Sequence, residues 1–248
     1  MATRIATNPA ARALYLYGVS DLDSASVKVR EGGIDGINPV ERLEASGLQC
    51  WISRVEKDEY ADQLAANMEN LDWLATASVR HQRVVGEIAS KITILPARFG
   101  TVFLTEDSLR EHVAERKQQL MQTLKKIEGT EEWGVKLFSI APAAAQVPAM
   151  RSGGDYLRLK AAKLQPAGRK ELDPEVKDFI RELQGVTEDS AISGKVSSGQ
   201  RNLEWQASFL VRKNRKKEWD AILRRYASAW HERREIECTG PWPPYSFI

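Results

Sequence analysis

The sequence of 248 residues predicts an α+β protein with two domains. Apolar and aromatic runs of strand length alternate with longer segments in which apolar residues recur at steps of three and four. In the second half these segments follow the order strand, helix, strand, strand, helix, strand, which is the plan of a ferredoxin-like fold. The chain is long enough for two domains that each bury a core of their own.

The first half begins with two predicted strands and an irregular segment between them. Residues 13–19 are apolar and aromatic and end before turn-forming residues, and residues 48–55 alternate enough to form a second strand. Residues 20–47 are rich in Asp, Ser and Gly, and Gly32-Gly33 is a turn signal within them. We expect irregular structure or short hairpins there.

Two helices are predicted next. One long helix is expected over residues 60–91, and its apolar stripe consists of Leu71, Leu74, Ser78, His81, Val85 and Ile88. After a short apolar run, Thr105 can cap a second helix, and the acidic residues that follow it complement the helix dipole. We expect this helix to end near Ile127 and to be stopped by Gly129.

The second half contains the elements of the ferredoxin-like plan. Strands are expected at residues 132–140, 186–196, 203–212 and 235–238, and helices at 154–164, 174–183 and 214–234. The four residues 197–200 have the length of a hairpin loop between the second and third strands. We place the domain boundary near Gly129, which gives a less regular α+β domain at 1–128 and a ferredoxin-like domain at 129–248.

The chain ends in an aromatic, proline-rich tail, residues 240–248. Pro241, Pro243 and Pro244 remove backbone donors, so the segment is poorly suited to a helix or a sheet ladder. Trp242, Tyr245 and Phe247 each carry a large apolar surface. The tail is expected to dock in a groove of its own domain, or alternatively to present aromatic anchors to a partner.

Four segments, in this order and at this spacing, resemble the gas vesicle protein F/L family. They are Leu14-Tyr15-Leu16-Tyr17-Gly18-Val19, Leu95-Pro96-Ala97-Arg98-Phe99-Gly100-Thr101-Val102-Phe103, Glu132-Trp133-Gly134-Val135-Lys136 and the tail. The resemblance spans nearly the whole chain. It implies two α+β domains, the second a modified ferredoxin-like domain with an appended tail.

Bulk composition argues against several classes of protein. With 36 Lys and Arg against 34 Asp and Glu, the net charge of +2 gives no bias toward polyanions. The N-terminus lacks the apolar run of a signal peptide, and no stretch approaches a membrane span, so we expect a cytoplasmic protein. The two cysteines, Cys50 and Cys238, are expected to be buried or half-buried apolar residues.

Few residues suggest catalysis or a cofactor. His81, His112 and His231 all lie on predicted helices without a metal-ligand spacing, and no phosphate-binding glycine motif or nucleophile elbow is present. His81 is expected to be a packed, hydrogen-bonded core histidine because it lies in an apolar stripe. We predict no catalytic residue, no metal and no cofactor. An enzyme with a site assembled from distant residues remains an alternative.

Arg98 stands inside the apolar run of residues 94–99. If this segment enters the core, the guanidinium must be paired, because burial of an unpaired charge would cost several kcal/mol. A buried structural ion pair is the first interpretation. The alternative is that Arg98 and Phe99 are presented together on a loop for a protein partner.

The helix predicted at 214–234 lies in a strongly basic stretch, residues 212–234, with nine Lys or Arg against three acidic residues. Its inward stripe consists of Trp219, Ile222, Leu223, Tyr226 and Trp230, which leaves the basic residues on the outer face. A solvated helix face is favoured. Docking of an acidic protein and RNA binding are the alternatives.

The family resemblance implies an accessory protein or minor structural component that is needed to assemble the gas vesicle shell. It implies binding to the major shell protein and to other accessory proteins. From the residues themselves we expect no nucleic acid and no membrane as partner. The candidate contact residues are Arg98, Phe99, Trp242, Tyr245 and Phe247.

Overall fold

The computed structural model describes residues 11–22, 27–30, 32–140, 172–192 and 202–248. Contacts between Cα atoms group these residues into two compact units, and each unit has a sheet of its own. The first unit holds the described residues up to Glu132 together with Gly240–Ile248, and the second holds those of Trp133–Thr239. Helices combined with antiparallel strand pairing confirm the predicted α+β class.

The first unit is built on a five-stranded sheet in the order β2-β3-β1-β4, with β5 also paired to β1. Its strands are β1 Arg12–Asp21, β2 Glu41–Ala45, β3 Leu48–Glu56, β4 Leu95–Pro96 and β5 Val102–Phe103. Strands β1 and β3 lie where the sequence predicts them. Strand β2 arises inside the segment expected to be irregular, because the two-residue turn Ser46-Gly47, with both φ angles positive, folds it back onto β3.

In the described part of the first unit, three α-helices accompany the sheet: α1 Leu64–Glu69, α2 Leu71–Ala89 and α3 Glu106–Ile127. The prediction of one helix over residues 60–91 is therefore wrong. Asn70 makes the break, because its backbone is extended and its side chain accepts hydrogen bonds from the N–H groups of Asp72 and Trp73. Leu71 consequently lies at the start of α2 and is 79% exposed instead of joining the buried stripe.

Strand β1 is buried on both faces because a helix lies on each side of the sheet. Tyr15 and Tyr17 pack with His81 of α2 in one core cluster. Since side chains alternate along a strand, Leu14 and Leu16 point to the opposite face, where α3 contacts the sheet. Because helices pack on both faces of the sheet, they fix the position of β1 and therefore of β4 and β5, which pair with it.

Helix α3 has the start and end that the sequence predicts. The Thr105 hydroxyl accepts a hydrogen bond from Ser108 N–H at 3.1 Å, and the Ser108 hydroxyl accepts one from Thr105 N–H at 3.3 Å. This reciprocal capping box satisfies two donors that would otherwise have no partner. At the other end Gly129 has a φ of 69°, a left-handed conformation that glycine adopts easily.

The described residues of the second unit form four strands in the order β7-β8-β6-β9. Its elements are β6 Thr130–Ser139, α4 Pro174–Gly185, β7 Asp189–Ile192, β8 Leu203–Arg212, α5 Lys216–Trp230 and β9 Arg234–Trp242. Helix α5 is shorter and β9 longer than the sequence predicts. The helix expected at 154–164 and the hairpin loop expected at 197–200 lie outside the described residues.

The core of the second unit is aromatic. Trp219 and Trp230 of α5 are buried, and Ile222, Leu223 and Tyr226 pack against the same cluster, so the predicted inward stripe is confirmed. The ring centroids of Phe209 and Trp219 are 5.0 Å apart. Edge-to-face and tilted pairs of this kind add stability beyond the burial of their apolar area.

The tail passes from the second unit to the first. Residues Gly240, Pro241 and Trp242 are the end of β9, although the prolines of this segment argued against a strand. The remaining residues contact the first unit, so Gly240–Ile248 are grouped with it. The sequence-based division places the tail in the second domain, because the tail follows that domain in the chain. Its contacts with the first unit join residues far apart in sequence, and such contacts leave no local pattern.

Candidate functional site

The central motif forms a tight turn beside β1. Leu16 N–H donates to the carbonyl of Thr101 at 2.9 Å, and the carbonyl of Arg98 accepts from Thr101 N–H at 3.2 Å and from its hydroxyl at 2.7 Å. Gly100 is the third residue of the turn and has a φ of 80°, the conformation that a type II turn requires at this position. The turn therefore fixes the directions of Arg98 and Phe99.

Arg98 is exposed, so its interpretation as a buried ion pair is wrong. The charge does not enter the core because the turn directs it away from the strand pairing of Leu95 and Pro96. Among the described residues, its guanidinium has neither a hydrogen bond nor an ion pair. An unpaired guanidinium next to an apolar segment is available to a partner.

Phe99 points the other way and packs in an aromatic cluster of the first unit. Its ring centroid lies 5.7 Å from His81, 6.4 Å from Tyr15 and 6.4 Å from Trp73. The side chain is half-buried there. The motif thus separates the two candidate contact residues, with Arg98 toward solvent and Phe99 toward the core.

His81 is at the centre of this cluster and is 2% exposed, as expected for a packed core histidine. Tyr15 Oη lies 2.9 Å from His81 Nδ1 and also accepts a hydrogen bond from Gly100 N–H. We assign the phenolic proton to the bond with Nδ1, which leaves the hydrogen of the neutral ring on Nε2. Burial lowers the pKa of His81 to about 4, so the ring is uncharged at neutral pH.

The tail docks on the same cluster. Pro244 is buried, and the Tyr245 ring lies 6.1 Å from the His81 ring. Ser246 donates to the buried carboxylate of Glu132 through its N–H at 2.9 Å and its hydroxyl at 2.6 Å. Burial raises the pKa of Tyr245. These contacts hold the tail by one aromatic ring and one carboxylate.

The other two aromatic residues of the tail are less buried. Trp242 is 49% exposed, and Phe247 is half-buried in a short 3₁₀ turn. Trp242 is thus the most accessible of the three aromatic contact candidates in the tail. Tyr245 serves instead to anchor the tail in the core of the first unit.

A cavity of about 390 Å³ lies between the central motif, β1 and α3. Its apolar lining includes Leu16 and Val19 of β1, Leu95 and Pro96 of β4, and Leu120 of α3. Arg98 and Arg116 are its cationic residues, and the terminal residue Ile248 also lines it.

The cavity exists because the middle of α3 does not pack on the sheet. The buried residues of α3 are Leu109 and Val113 near its start, and Leu124 and Ile127 at its end. Arg116 occupies a helical position between them where the apolar spacing calls for another leucine or valine. This charged residue at an apolar spacing is the sequence signal that indicates the cavity, and it is absent from the residues predicted above.

The basic face of α5 is largely neutralised by neighbouring carboxylates. Ion pairs on and beside this helix are Arg215–Glu218, Lys216–Asp220, Arg225–Glu182, Arg233–Glu175 and Arg234 with Asp173 and Glu204. Pairs of this kind supply the counter-charges that a nucleic-acid backbone would otherwise provide. The face is best described as solvated and internally paired, which agrees with the favoured interpretation from the sequence.

The described residues also bear on three other possibilities, a metal site, a membrane-spanning helix and a reactive cysteine. No group of three or more His, Cys, Asp or Glu side chains in the described ranges could hold a metal ion. No helix in that part of the chain is both long and apolar enough to cross a bilayer. Cys50 is buried as expected, whereas Cys238 is exposed on β9 and not half-buried.

Sequence comparisons identify relatives along nearly the whole chain. A family model described as gas vesicle synthesis protein GvpL/GvpF matches residues 13–248. Gas vesicle protein L of Streptomyces sp. (strain CB03234) is 28% identical, with 95% of this chain and 92% of that protein covered. Gas vesicle protein F1 of Halobacterium salinarum (strain ATCC 700922 / JCM 11081 / NRC-1) is 22% identical, with 95% and 92% covered.

The fold is similar to two solved structures. The crystal structure of GvpF from Anabaena sp. PCC7120 has a TM-score of 0.67 and covers 95% of each chain at 20% identity. That of GvpF from Microcystis aeruginosa has a TM-score of 0.63, with 95% of this chain and 98% of that chain covered at 20% identity.

Proposed function

The chain belongs to the gas vesicle synthesis protein GvpL/GvpF family, and from this membership we propose that it acts in assembly of the gas vesicle shell. The observation that carries the proposal is the family match over residues 13–248. The protein would work by binding the major shell protein and other accessory proteins in the cytoplasm, as an accessory or minor structural component. We propose no catalytic role and no cofactor.

The demands of shell assembly give this role a physical basis. A shell subunit with a strongly apolar, gas-facing surface would aggregate before incorporation unless another protein covered that surface. Holding such a subunit, or seeding the first turns of the shell, requires contact area and complementarity. It does not require bond-making chemistry.

Among the five candidate contact residues, we propose that Arg98 and Trp242 contact the partner directly. Both are exposed. Phe99 and Tyr245 pack against the aromatic core cluster, so their proposed part is to fix the turn and the tail that carry the exposed residues. Phe247 is half-buried beside Tyr245 and would extend the contact of the tail.

We also propose that the second unit is a modified ferredoxin-like domain. The described elements after Thr130 follow the order strand, helix, strand, strand, helix, strand. In the sheet the first and third of these strands are neighbours, and the second and fourth strands form the edges, which is the arrangement of that fold.

The experiment that tests the function is deletion of this gene alone in a vesicle-forming host. Restoration on a plasmid serves as the control, and intact vesicles are scored by electron microscopy. Loss of vesicles that returns on complementation is the expected result. Normal vesicles in the deletion strain would contradict the proposal and favour the enzymatic or RNA-binding alternative.

The assignment of Trp242 is tested with purified protein and shell subunit. Trp242→Ala is expected to weaken binding about tenfold, because a half-exposed tryptophan is a common anchor of protein interfaces. Ile37→Ala is the matched control, since Ile37 is 85% exposed and lies far from the tail in sequence. Equal affinity of the two variants and the parent protein would remove Trp242 from the contact surface.

A further inference from the structure

We propose that the cavity beneath the middle of α3 is a docking groove for an acidic, apolar segment of a partner protein. The groove is defined by Leu16, Leu95, Arg98, Arg116 and Leu120, together with the neighbouring lining residues of β1 and α3. The proposal rests on the proposed function only in naming a gas vesicle shell protein as the source of that segment.

The shape of the cavity supports a peptide occupant. Between Val113 and Leu124 no residue of α3 is buried. At 1.5 Å per residue this stretch is roughly 16 Å long, which equals three turns of helix. The space of about 390 Å³ beneath it is lined mostly by apolar side chains. An amphipathic segment that inserts two or three apolar side chains fits such a groove.

The charges at the groove indicate the chemistry of that segment. Arg98 has no partner among the described residues. The hydrogen bonds of the Arg116 guanidinium go to the side chains of Gln119, at 3.4 Å, and of His112, at 3.4 Å, and neither of these is a carboxylate. No ion pair joins either arginine to a carboxylate in the described part of the chain.

Both arginines are exceptions to an apolar sequence pattern. Arg98 interrupts the apolar run that begins at Ile94, and Arg116, three residues after Val113, falls on the helical spacing of the buried α3 residues although it is itself exposed. Two unrelated elements therefore bring an uncompensated positive charge to the same apolar groove. The occupant that satisfies both features carries carboxylates next to leucine-sized side chains.

The test uses overlapping 15-residue peptides that span the major gas vesicle shell protein of the same organism. Each peptide is labelled with a fluorophore and titrated with purified full-length protein, and binding is followed by anisotropy. We expect a peptide that combines apolar residues with Asp or Glu to bind. The double variant Arg98→Glu and Arg116→Glu is expected to weaken its binding at least tenfold.

Two controls make the result specific. Arg83→Glu reverses the charge of an exposed arginine on α2 and is expected to leave binding unchanged. A peptide whose Asp and Glu residues are replaced by Lys is expected to bind the double variant and not the parent protein. If the double variant fails to fold, as judged by circular dichroism, Gln119→Glu adds one negative charge beside Arg116 at the same groove and is expected to weaken binding.

Other outcomes would overturn the proposal. No binding by any peptide, or binding that is insensitive to both arginines, would exclude this groove as the docking site. Binding of octanoate as tightly as the best peptide would assign the cavity to a small amphiphilic molecule instead.

The groove and the function can fail separately. If gene deletion abolishes vesicles but peptide binding is the same in the parent protein and the double variant, only the proposed docking groove is contradicted. If vesicles stay intact after gene deletion but peptide binding depends on the two arginines, the assembly role is contradicted and the docking groove remains supported.

Discussion

At the scale of single residues, the aromatic cluster around His81 connects the central motif to the tail. Phe99 from the motif and Tyr245 from the tail both pack against the histidine ring. Two polar atoms in this cluster, His81 Nε2 and Tyr245 Oη, are buried without a hydrogen-bond partner. A charge on His81 would therefore be unfavourable, and the cluster depends on a neutral ring.

The first prediction concerns this titration. Burial lowers the pKa of folded His81 from 6.5 to about 4, so the unfolded chain binds the proton more tightly. The contribution of His81 to stability is complete above pH 6.5 and is lost as the pH falls toward 4, by about 3 kcal/mol in total. His81→Gln is expected to reduce the difference in unfolding free energy between pH 7.5 and pH 5 by about 2 kcal/mol, measured with urea. The exposed His231→Gln variant is the control, and an unchanged pH dependence in His81→Gln would contradict the prediction.

The second prediction compares two glycines. Gly100 has a φ of 80° and its added Cβ would meet Leu64 at 3.5 Å, so Gly100→Ala is expected to destabilise the protein by about 1–2 kcal/mol through backbone strain. Gly86 lies inside α2 with nothing within 4 Å of an added Cβ, so Gly86→Ala is expected to stabilise by about 0.5–1 kcal/mol. Thermal unfolding of both variants measures the effects. Shifts of the same sign would contradict the argument from backbone conformation.

At the scale of elements, α3 is held mainly by its two ends. Leu109 and Val113 pack near the start, and Leu124 and Ile127 pack at the end, while the middle borders the groove. Interactions at the N-terminus of α3 therefore contribute more to its stability than they would in a helix that is packed along its whole length. The capping box of Thr105 and Ser108 is one such interaction.

The third prediction tests this cap. Thr105→Ala removes the hydroxyl that accepts from Ser108 N–H and is expected to cost about 1 kcal/mol of unfolding free energy. Thr105→Ser keeps the hydroxyl and is expected to retain most of the stability. Urea denaturation of the two variants measures the difference. Equal losses of unfolding free energy in Thr105→Ala and Thr105→Ser would indicate that the threonine methyl group, and not the capping hydroxyl, provides the stability.

At the scale of the whole molecule, the tail completes the core of the first unit from the far end of the chain. Tyr245 fills space beside His81, and Ser246 satisfies the carboxylate of Glu132, which is 6% exposed. Removal of these residues would leave a cavity and an unpaired buried carboxylate.

The fourth prediction follows from this arrangement. Truncation after Trp242 is expected to destabilise the first unit by about 3 kcal/mol, because the partly buried ring of Tyr245 and two hydrogen bonds to Glu132 are lost. Hydrogen exchange is the measurement, and the amides of Val84 and Val85 in α2 are expected to exchange faster while those of Phe209 in β8 remain protected. Removal of Ile248 alone, which is 38% exposed, is the control. Unchanged exchange in α2 would show that the tail is not part of this core.

Local patterns predicted much of this fold. Strand β1, strand β3, helix α4, strand β8 and the inward stripe of α5 all follow from periodicity over a few turns or pleats. The start of α3 follows from the Thr105 hydroxyl and Ser108, three residues later, which together form a capping box. The break at Asn70 also has a local cause, because Asn70 is an N-cap. The continuous apolar stripe predicted one helix across it.

The sequence by itself determined the α+β class, most element positions and, through its motifs, the resemblance to the family. The tertiary structure alone decided that the tail docks on the first unit, that Arg98 and Phe99 point in opposite directions, and that a groove lies under α3. The reason is physical: hydrophobic periodicity and capping act between residues a few positions apart and are written into short stretches of sequence. The contacts of Tyr245 with His81, and of Ser246 with Glu132, join residues that only the folded chain brings together.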